Sequence, residues 1–127
     1  MNVDINIVHR WINLLPIPEH TKPIVVVDGR HLTPQDILKE VQAGTELGIK
    51  AWNTEPVADE SLLINRMMQT LSRYSLNEPL FLMLGSPSAL TPAHIIEHIN
   101  SGTLLGKRIL STEHRHLVYL HSLKRRA

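Results

Sequence analysis

Two histidines and a glutamate late in the chain have the spacing of a metal site. His94, Glu97 and His98 form the pattern H-x-x-E-H, which one class of zinc hydrolases uses for two metal ligands and a general base. A catalytic zinc also needs a third protein ligand and an open cleft. Two imidazoles four residues apart on a helix still suit nickel, copper or zinc. The candidate metal ligands are therefore His94 and His98.

The pattern has a second explanation, because the sequence around it is repeated. Residues 32–55 and 90–113 align without a gap at an offset of 58 (90 − 32), and ten of the 24 positions are identical. Two unrelated segments do not match this well, so we predict a duplicated unit. The two histidines align with Asp36 and Glu40, and a position that accepts either type is typical of a solvated helix border. We therefore expect neither a catalytic metal nor a cofactor.

The repeated residues predict a helix, a tight turn and a second helix in each copy. Threonine is a good N-cap, and proline suits the first helical position because no N–H is needed there. Glycine after the last helical residue adopts the left-handed cap at little cost. These three signals occur as Thr33, Pro34 and Gly44 in the first copy and as Thr91, Pro92 and Gly102 in the second.

A repeated glycine lies inside the second helix of each copy. Glycine in a helix costs up to about 1 kcal/mol relative to alanine, so its presence at both Gly48 and Gly106 predicts a close backbone approach. The neighbour is either the first helix, which is favoured, or a binding partner. With Trp52 and the basic pair Lys107 and Arg108, these glycines are the candidate interaction residues.

Short apolar runs and longer amphipathic segments precede both copies. Residues 23–29 and 78–85 are bounded by Pro and Gly and rich in strand formers, so we expect them to pair as a small two-stranded sheet. Leu63, Met67 and Leu71 recur at four-residue steps and predict a helix over 59–73. A helix from about residue 5 is also favoured before the first run.

These elements predict an α+β fold that is mainly helical, with a tandem duplicated strand-helix-turn-helix unit and a small two-stranded sheet. The copies, about 5–55 and 60–113, would be related by a pseudo-two-fold axis within a single domain of residues 1–127. A C-terminal helix is predicted over 114–124 with Thr112 as its cap, although its central residues also suit a strand. A chain of 127 residues that is 43% hydrophobic can bury a core of this kind.

Composition excludes several classes of protein. No run approaches the roughly 18 apolar residues that span a bilayer, and the N-terminus lacks the features of a signal peptide. The absence of cysteine excludes disulfides and fits a reducing compartment. We therefore expect a small soluble cytoplasmic domain without a membrane partner. Neither a glycine-rich phosphate loop nor a nucleophile elbow is present.

Five other ionisable residues are candidates of lesser weight. Glu55 and Glu113 recur at the end of each copy and would form either a symmetric pair or, as we favour, local caps and salt bridges. His114, His116 and His121 form a second histidine cluster that could titrate near neutral pH. We interpret these three as ordinary surface histidines.

The favoured hypothesis is a non-catalytic protein–protein interaction or assembly module, because the repeated residues are caps, turns and core positions and none forms a catalytic constellation. The partner is another protein or a second copy of the chain, since Trp11, Trp52, Met67 and Met68 exceed what so small a domain is expected to bury. The second hypothesis is a helix-turn-helix nucleic-acid-binding protein, which the net charge of +1 disfavours. The third is a histidine-dependent metal-binding protein or hydrolase.

Overall fold

The computed structural model describes residues 3–56, 58–76 and 91–127. Within these ranges the chain forms six α-helices and one two-stranded antiparallel sheet, which confirms a mainly helical fold with a small sheet. The elements are α1 Ile5–Leu14, a 3₁₀ helix Ile17–Thr21, β1 Val25–Val27, β2 Arg30–Leu32, α2 Pro34–Gln42, α3 Glu46–Asn53, α4 Glu60–Leu71, α5 Pro92–Ser101, α6 Leu104–Ser122 and a second 3₁₀ helix Leu123–Arg126.

Local capping signals in the sequence explain where the helices begin and end. The N-cap side chains of the six described α-helices each accept a hydrogen bond from a backbone N–H of the first turn, which is otherwise unpaired. The cap residues are Asp4, Thr33, Thr45, Asp59, Thr91 and Thr103. Gly44 and Gly102 have φ of 70° and 65° at the ends of α2 and α5, so the predicted left-handed caps are confirmed.

Among the described residues, the sheet is a tight hairpin. β1 pairs with β2 in the register Val25↔Leu32 and Val27↔Arg30. Asp28 and Gly29 both have positive φ, 51° and 77°, as a two-residue turn matched to the twist of the strands requires. The predicted partner strand, 78–85, lies outside the described residues. Among the described residues, β2 is the partner that the sequence analysis missed.

One long helix replaces two predicted elements at the C-terminus. The second helix of the second copy continues without a break through α6, so residues 114–122 are helical as predicted and not a strand, but a separate start capped by Thr112 is wrong. The Thr112 hydroxyl donates to the Arg108 carbonyl at 3.0 Å inside the helix and caps nothing. No glycine or proline follows Gly106, so no residue interrupts the helix. At 19 residues, α6 is about 28 Å long.

Buried apolar side chains form two clusters among the described residues. The larger one joins the first half of the chain to the end of α6, and the smaller one contains Leu71, Ile95, Ile99 and Ile109. Trp11 is fully buried in the larger cluster, where its Nε1 donates to the Leu120 carbonyl at 3.0 Å. It is therefore a core residue rather than one of the surplus apolar side chains expected at the surface. No helix in the described ranges has the length and apolarity needed to cross a membrane.

Candidate functional site

The first helix-turn-helix elbow, α2–α3, is closed by a threonine. Thr45 Oγ1 accepts from the Gly48 backbone N–H at 3.1 Å and lies 2.6 Å from the Glu40 carboxylate, to which it donates. The Thr45 backbone N–H donates to the Glu40 carbonyl at 3.1 Å. One side chain thus caps α3 and fixes it to the end of α2.

The second elbow, α5–α6, is closed by the same contacts at the aligned residues. Thr103 Oγ1 accepts from the Gly106 N–H at 3.1 Å, and the Thr103 N–H donates to the His98 carbonyl at 3.3 Å. Here the imidazole of His98 stands where the first elbow has Glu40, and its Nδ1 is hydrogen-bonded to Thr103 Oγ1 at 2.9 Å. The alignment of a glutamate with a histidine therefore reflects a shared partner for the turn threonine. His98 is half-buried, not part of a fully solvated border.

The repeated glycines allow the two helices of each elbow to touch. Both are buried. A Cβ on Gly48 would lie 2.7 Å from the carbonyl carbon of Glu40, and a Cβ on Gly106 would lie 2.7 Å from that of His98. Such distances are far inside van der Waals contact, so only glycine fits without a shift of the backbone. The close approach is to the first helix of the same elbow, as the sequence analysis favoured.

The histidine pair lacks a nearby third ligand in the part of the chain that the structure describes. His94 is exposed at the start of α5, and Nδ1 of His98 is already hydrogen-bonded to Thr103. Within residues 3–56, 58–76 and 91–127, no three His, Asp or Glu side chains are grouped closely enough to hold a metal ion. Two imidazoles alone suit a weakly held transition metal rather than the open three-ligand site of a zinc hydrolase.

Trp52 is half-buried in an aromatic and cationic cluster. Its ring meets that of Trp11 edge-on, with centroids 5.4 Å apart at an interplanar angle of 81°. Lys124 Nζ lies 4.7 Å from the Trp52 ring centroid and donates to the Trp52 carbonyl at 2.9 Å. Burial lowers the pKa of Lys124 to about 8, against an opposing effect of Glu55. Beside this cluster lies a cleft of about 320 Å³, lined in part by Glu55, Val118 and Arg125.

Among the described residues, the most deeply buried charge is one that the sequence analysis did not single out. Arg66 of α4 is fully buried. Its Nη2 donates to Glu19 Oε2 at 2.7 Å, its Nε to Glu113 Oε1 at 2.9 Å and its Nη1 to the Pro23 carbonyl at 2.9 Å. The available signal was its spacing, since it stands three residues after Leu63 on the apolar side of the predicted helix.

Glu19 is the common partner of Arg66, Lys22 and His116. Burial alone would raise the pKa of its carboxyl, but the hydrogen bond from His116, the charge and hydrogen bond of Arg66 and the charge of Lys22 lower it to about 2. Lys22 Nζ and His116 Nε2 each lie 3.4 Å from Glu19 Oε1. This network links the first 3₁₀ helix to α4 and α6. Glu113 pairs with Arg66, 47 residues away, so the local cap or salt bridge favoured from the sequence is wrong for Glu113.

The C-terminal histidines differ from one another in burial. His121 is buried rather than at the surface, and its Nε2 lies 2.8 Å from the Ile24 carbonyl. Burial is the main cause that lowers its pKa to about 4, assisted by Lys124 and Arg66 and opposed by the Ile24 carbonyl. The imidazole is therefore neutral near pH 7, and Nε2–H is the donor. The buried Nε2 of His114 has no hydrogen-bond partner among the described residues.

Lys107 and Arg108 are exposed on the first turns of α6, and Lys107 lines the groove at the second elbow with Ile99 and Gly102. The structure therefore separates the five candidate interaction residues. The two glycines lie inside the elbows and Trp52 packs on Trp11 and Lys124, whereas the two cations are exposed. The sequence matches no known family model, and no curated protein or solved structure is significantly similar to it.

Proposed function

We propose that this chain is a non-catalytic protein–protein interaction or assembly module built from a duplicated helix-turn-helix unit. The proposal rests on one observation. The residues common to both elbows fix the path of the backbone, whereas the exposed residues of the first elbow differ from those of the second. Thr45 and Gly48 have the same contacts as Thr103 and Gly106. A preserved frame with divergent surface residues is what we expect of a binding scaffold, because the frame positions the contacts and the surface selects the partner.

The surroundings of the two elbows support a duplication that includes the helix before each of them. Asp4 and Asp59 cap α1 and α4 at an offset of 55 (59 − 4). The residues next to these caps line a groove of about 310 Å³ at the first elbow and one of about 320 Å³ at the second. Corresponding lining residues are Val3 and Ala58, Ile5 and Glu60, Val41 and Ile99, and Gly44 and Gly102. The first two pairs have an offset of 55 and the last two an offset of 58 (99 − 41). The second half therefore has three more residues between the start of α4 and its elbow than the first half has between the start of α1 and its elbow.

An exposed apolar patch offers a surface for a protein partner. Leu14, Ile17 and Tyr119 are 45%, 80% and 53% exposed. His116 connects Tyr119 to the segment that contains Ile17. Its ring stacks on Tyr119 with centroids 6.4 Å apart, and its Nε2 contacts Glu19 of the first 3₁₀ helix. We call these three apolar residues the Ile17 patch. Covering one such side chain contributes about 1.5–3 kcal/mol, equivalent to roughly 10- to 150-fold in affinity.

The test compares Ile17→Asp with Gln35→Asp. Both positions are exposed, so the free energy of unfolding of each variant is expected to lie within about 0.5 kcal/mol of that of the parent chain. Sedimentation velocity over a range of concentrations measures self-association. Affinity purification from the native host, followed by titration of the purified partner, measures binding to another protein. We expect Ile17→Asp alone to weaken the interaction, by at least about tenfold. The proposal fails if the parent chain neither self-associates nor binds any protein in a way that depends on Ile17.

A further inference from the structure

The outward side of α6 carries cations and hydroxyl groups but no carboxylate. Nine of its residues are exposed, and at 3.6 residues per turn they fall within an arc of about 140°. They are Leu104, Lys107, Arg108, Ser111, Thr112, Arg115, Val118, Tyr119 and Ser122. Exposed Arg125 and Arg126 continue the series in the second 3₁₀ helix. We call Lys107, Arg108, Ser111, Thr112, Arg115, Arg125 and Arg126 the basic face.

The continuous course of α6 produces this face. Had a new helix begun at Thr112, the cations after it would have pointed in an unrelated direction. Instead, Lys107, Arg108 and Arg115 share one side of a single straight element over about 12 Å. The single acidic residue in the sequence from 104 to 127 is Glu113, and its carboxylate turns inward to the guanidinium of Arg66. A net charge of +1 for the whole chain therefore conceals a strongly positive helix surface.

The first elbow provides an internal contrast. Its second helix, α3, ends at Asn53, and the positions aligned with Lys107 and Arg108 are Ile49 and Lys50. Lys50 Nζ lies 3.8 Å from the Asp28 carboxylate. The aligned cation of the first elbow thus has a nearby acidic partner and stands alone on its helix surface.

We propose that the basic face of α6 is a docking surface for duplex DNA, with α6 lying in the major groove. A groove about 12 Å wide admits one α-helix, and in helix-turn-helix proteins the second helix of the elbow occupies it. Lys107, Arg108 and Arg115 would pair with phosphates, and the hydroxyl group of Ser111 would add a neutral donor. This activity is additional to the proposed protein binding. The basic face adjoins the Ile17 patch, because Tyr119 is exposed on the same side of α6.

Two carboxylates border the basic face and set the limit of its positive potential. Glu60 lines the same groove as Lys107, and Glu55 lines the cleft beside Arg125. Both are exposed, and a phosphate backbone laid on α6 would be repelled by them. Removal of one of these charges, by Glu60→Gln, is therefore expected to tighten DNA binding.

The experiment is a titration of a fluorescent DNA duplex of roughly 20 base pairs by anisotropy, starting at about 50 mM salt and repeated at increasing salt. Arg108→Gln removes an exposed cation of the basic face, and Lys50→Gln makes the matched change at the aligned position of the first elbow. We expect Arg108→Gln to weaken binding and to reduce the slope of log affinity against log salt by about 1. Lys50→Gln should leave both quantities unchanged.

Three outcomes would overturn the proposal. The first is no binding of the duplex by the parent chain at the lowest salt. The second is an equal loss from Arg108→Gln and Lys50→Gln, which would indicate general charge attraction. The third is equal competition by polyglutamate or by an RNA duplex of the same sequence, because the former lacks a groove and the RNA major groove is too narrow for a helix. Circular dichroism of each variant verifies that the helices are intact.

Discussion

His121 should make the stability of the protein fall as the solution is acidified from neutral pH. Its side chain is 7% exposed, and its Nε2–H donates to the Ile24 carbonyl at 2.8 Å. The pKa is about 4 in the folded protein, against 6.5 for an unperturbed histidine. Between these values the unfolded chain binds a proton that the folded chain does not, so the free energy of unfolding decreases as pH falls.

The expected magnitude follows from the two pKa values. Between about pH 7.5 and about pH 5, the unfolded imidazole becomes almost fully protonated while the folded one stays neutral, which lowers the free energy of unfolding by about 2 kcal/mol. The full effect, reached below the folded pKa of about 4, is about 3 kcal/mol. The buried position of the ring means that solvent screening does not reduce these values appreciably.

Urea denaturation of the parent chain and of His121→Gln at the two pH values provides the assay. A glutamine amide retains a donor for the Ile24 carbonyl but does not titrate. The acid-induced loss of stability should therefore be about 2 kcal/mol smaller in this variant. His9→Gln, a change at an exposed position of α1, controls for the removal of a histidine as such. Equal acid-induced losses in the parent chain and in His121→Gln would refute the reasoning.

Three further changes probe the elbows and the buried charges. Gly106→Ala and Gly48→Ala should each lower the free energy of unfolding in urea by about 1–3 kcal/mol, because the new methyl group would meet backbone of the preceding helix; neutral substitutions would contradict the close approach. Arg66→Met should destabilise the protein by about 3–5 kcal/mol at neutral pH, because the buried Glu19 carboxylate loses its guanidinium partner and keeps only the longer contacts to Lys22 and His116. Addition of Glu19→Gln should recover part of this loss, and no recovery would contradict the pairing. Because the pKa of Lys124 is lowered to about 8, the free energy of unfolding should rise as the pH is raised from about 8 to about 10.5, the ordinary pKa of lysine. Lys124→Met should diminish this rise.

The features that the sequence predicted are those encoded by neighbouring residues. Thr33 and Thr91 lie three residues before the N–H groups that they cap, and Gly44 and Gly102 follow the helices that they end. A cap or a left-handed turn depends on a few adjacent side chains, so its pattern is visible in one short segment. The close packing of Gly48 and Gly106 could be anticipated because a costly residue occurs twice at the same place.

The features that the sequence analysis missed join residues distant along the chain. Arg66 meets a carboxylate 47 residues before it and another 47 residues after it, and His121 meets a carbonyl 97 residues away. Such partners are selected by the packing of whole helices, and no local spacing specifies them. The continuation of α6 through Thr112 shows that a local signal can also mislead. Thr112 is a good capping residue, but no residue before it ends the preceding helix.

Because the end of α6 packs on α1, the core can be completed only after the C-terminal segment has been synthesised. The Nε1 group of Trp11 donates to the carbonyl of Leu120, 109 residues later in the sequence, and Leu117 and Leu123 belong to the same apolar cluster as Trp11. A ribosome therefore releases the first three helices long before the side chains that cover them exist. During translation this surface must remain open or be shielded by a chaperone. A nascent chain that stops short of α6 would expose its tryptophan, and quality-control proteases would have a ready signal for its removal.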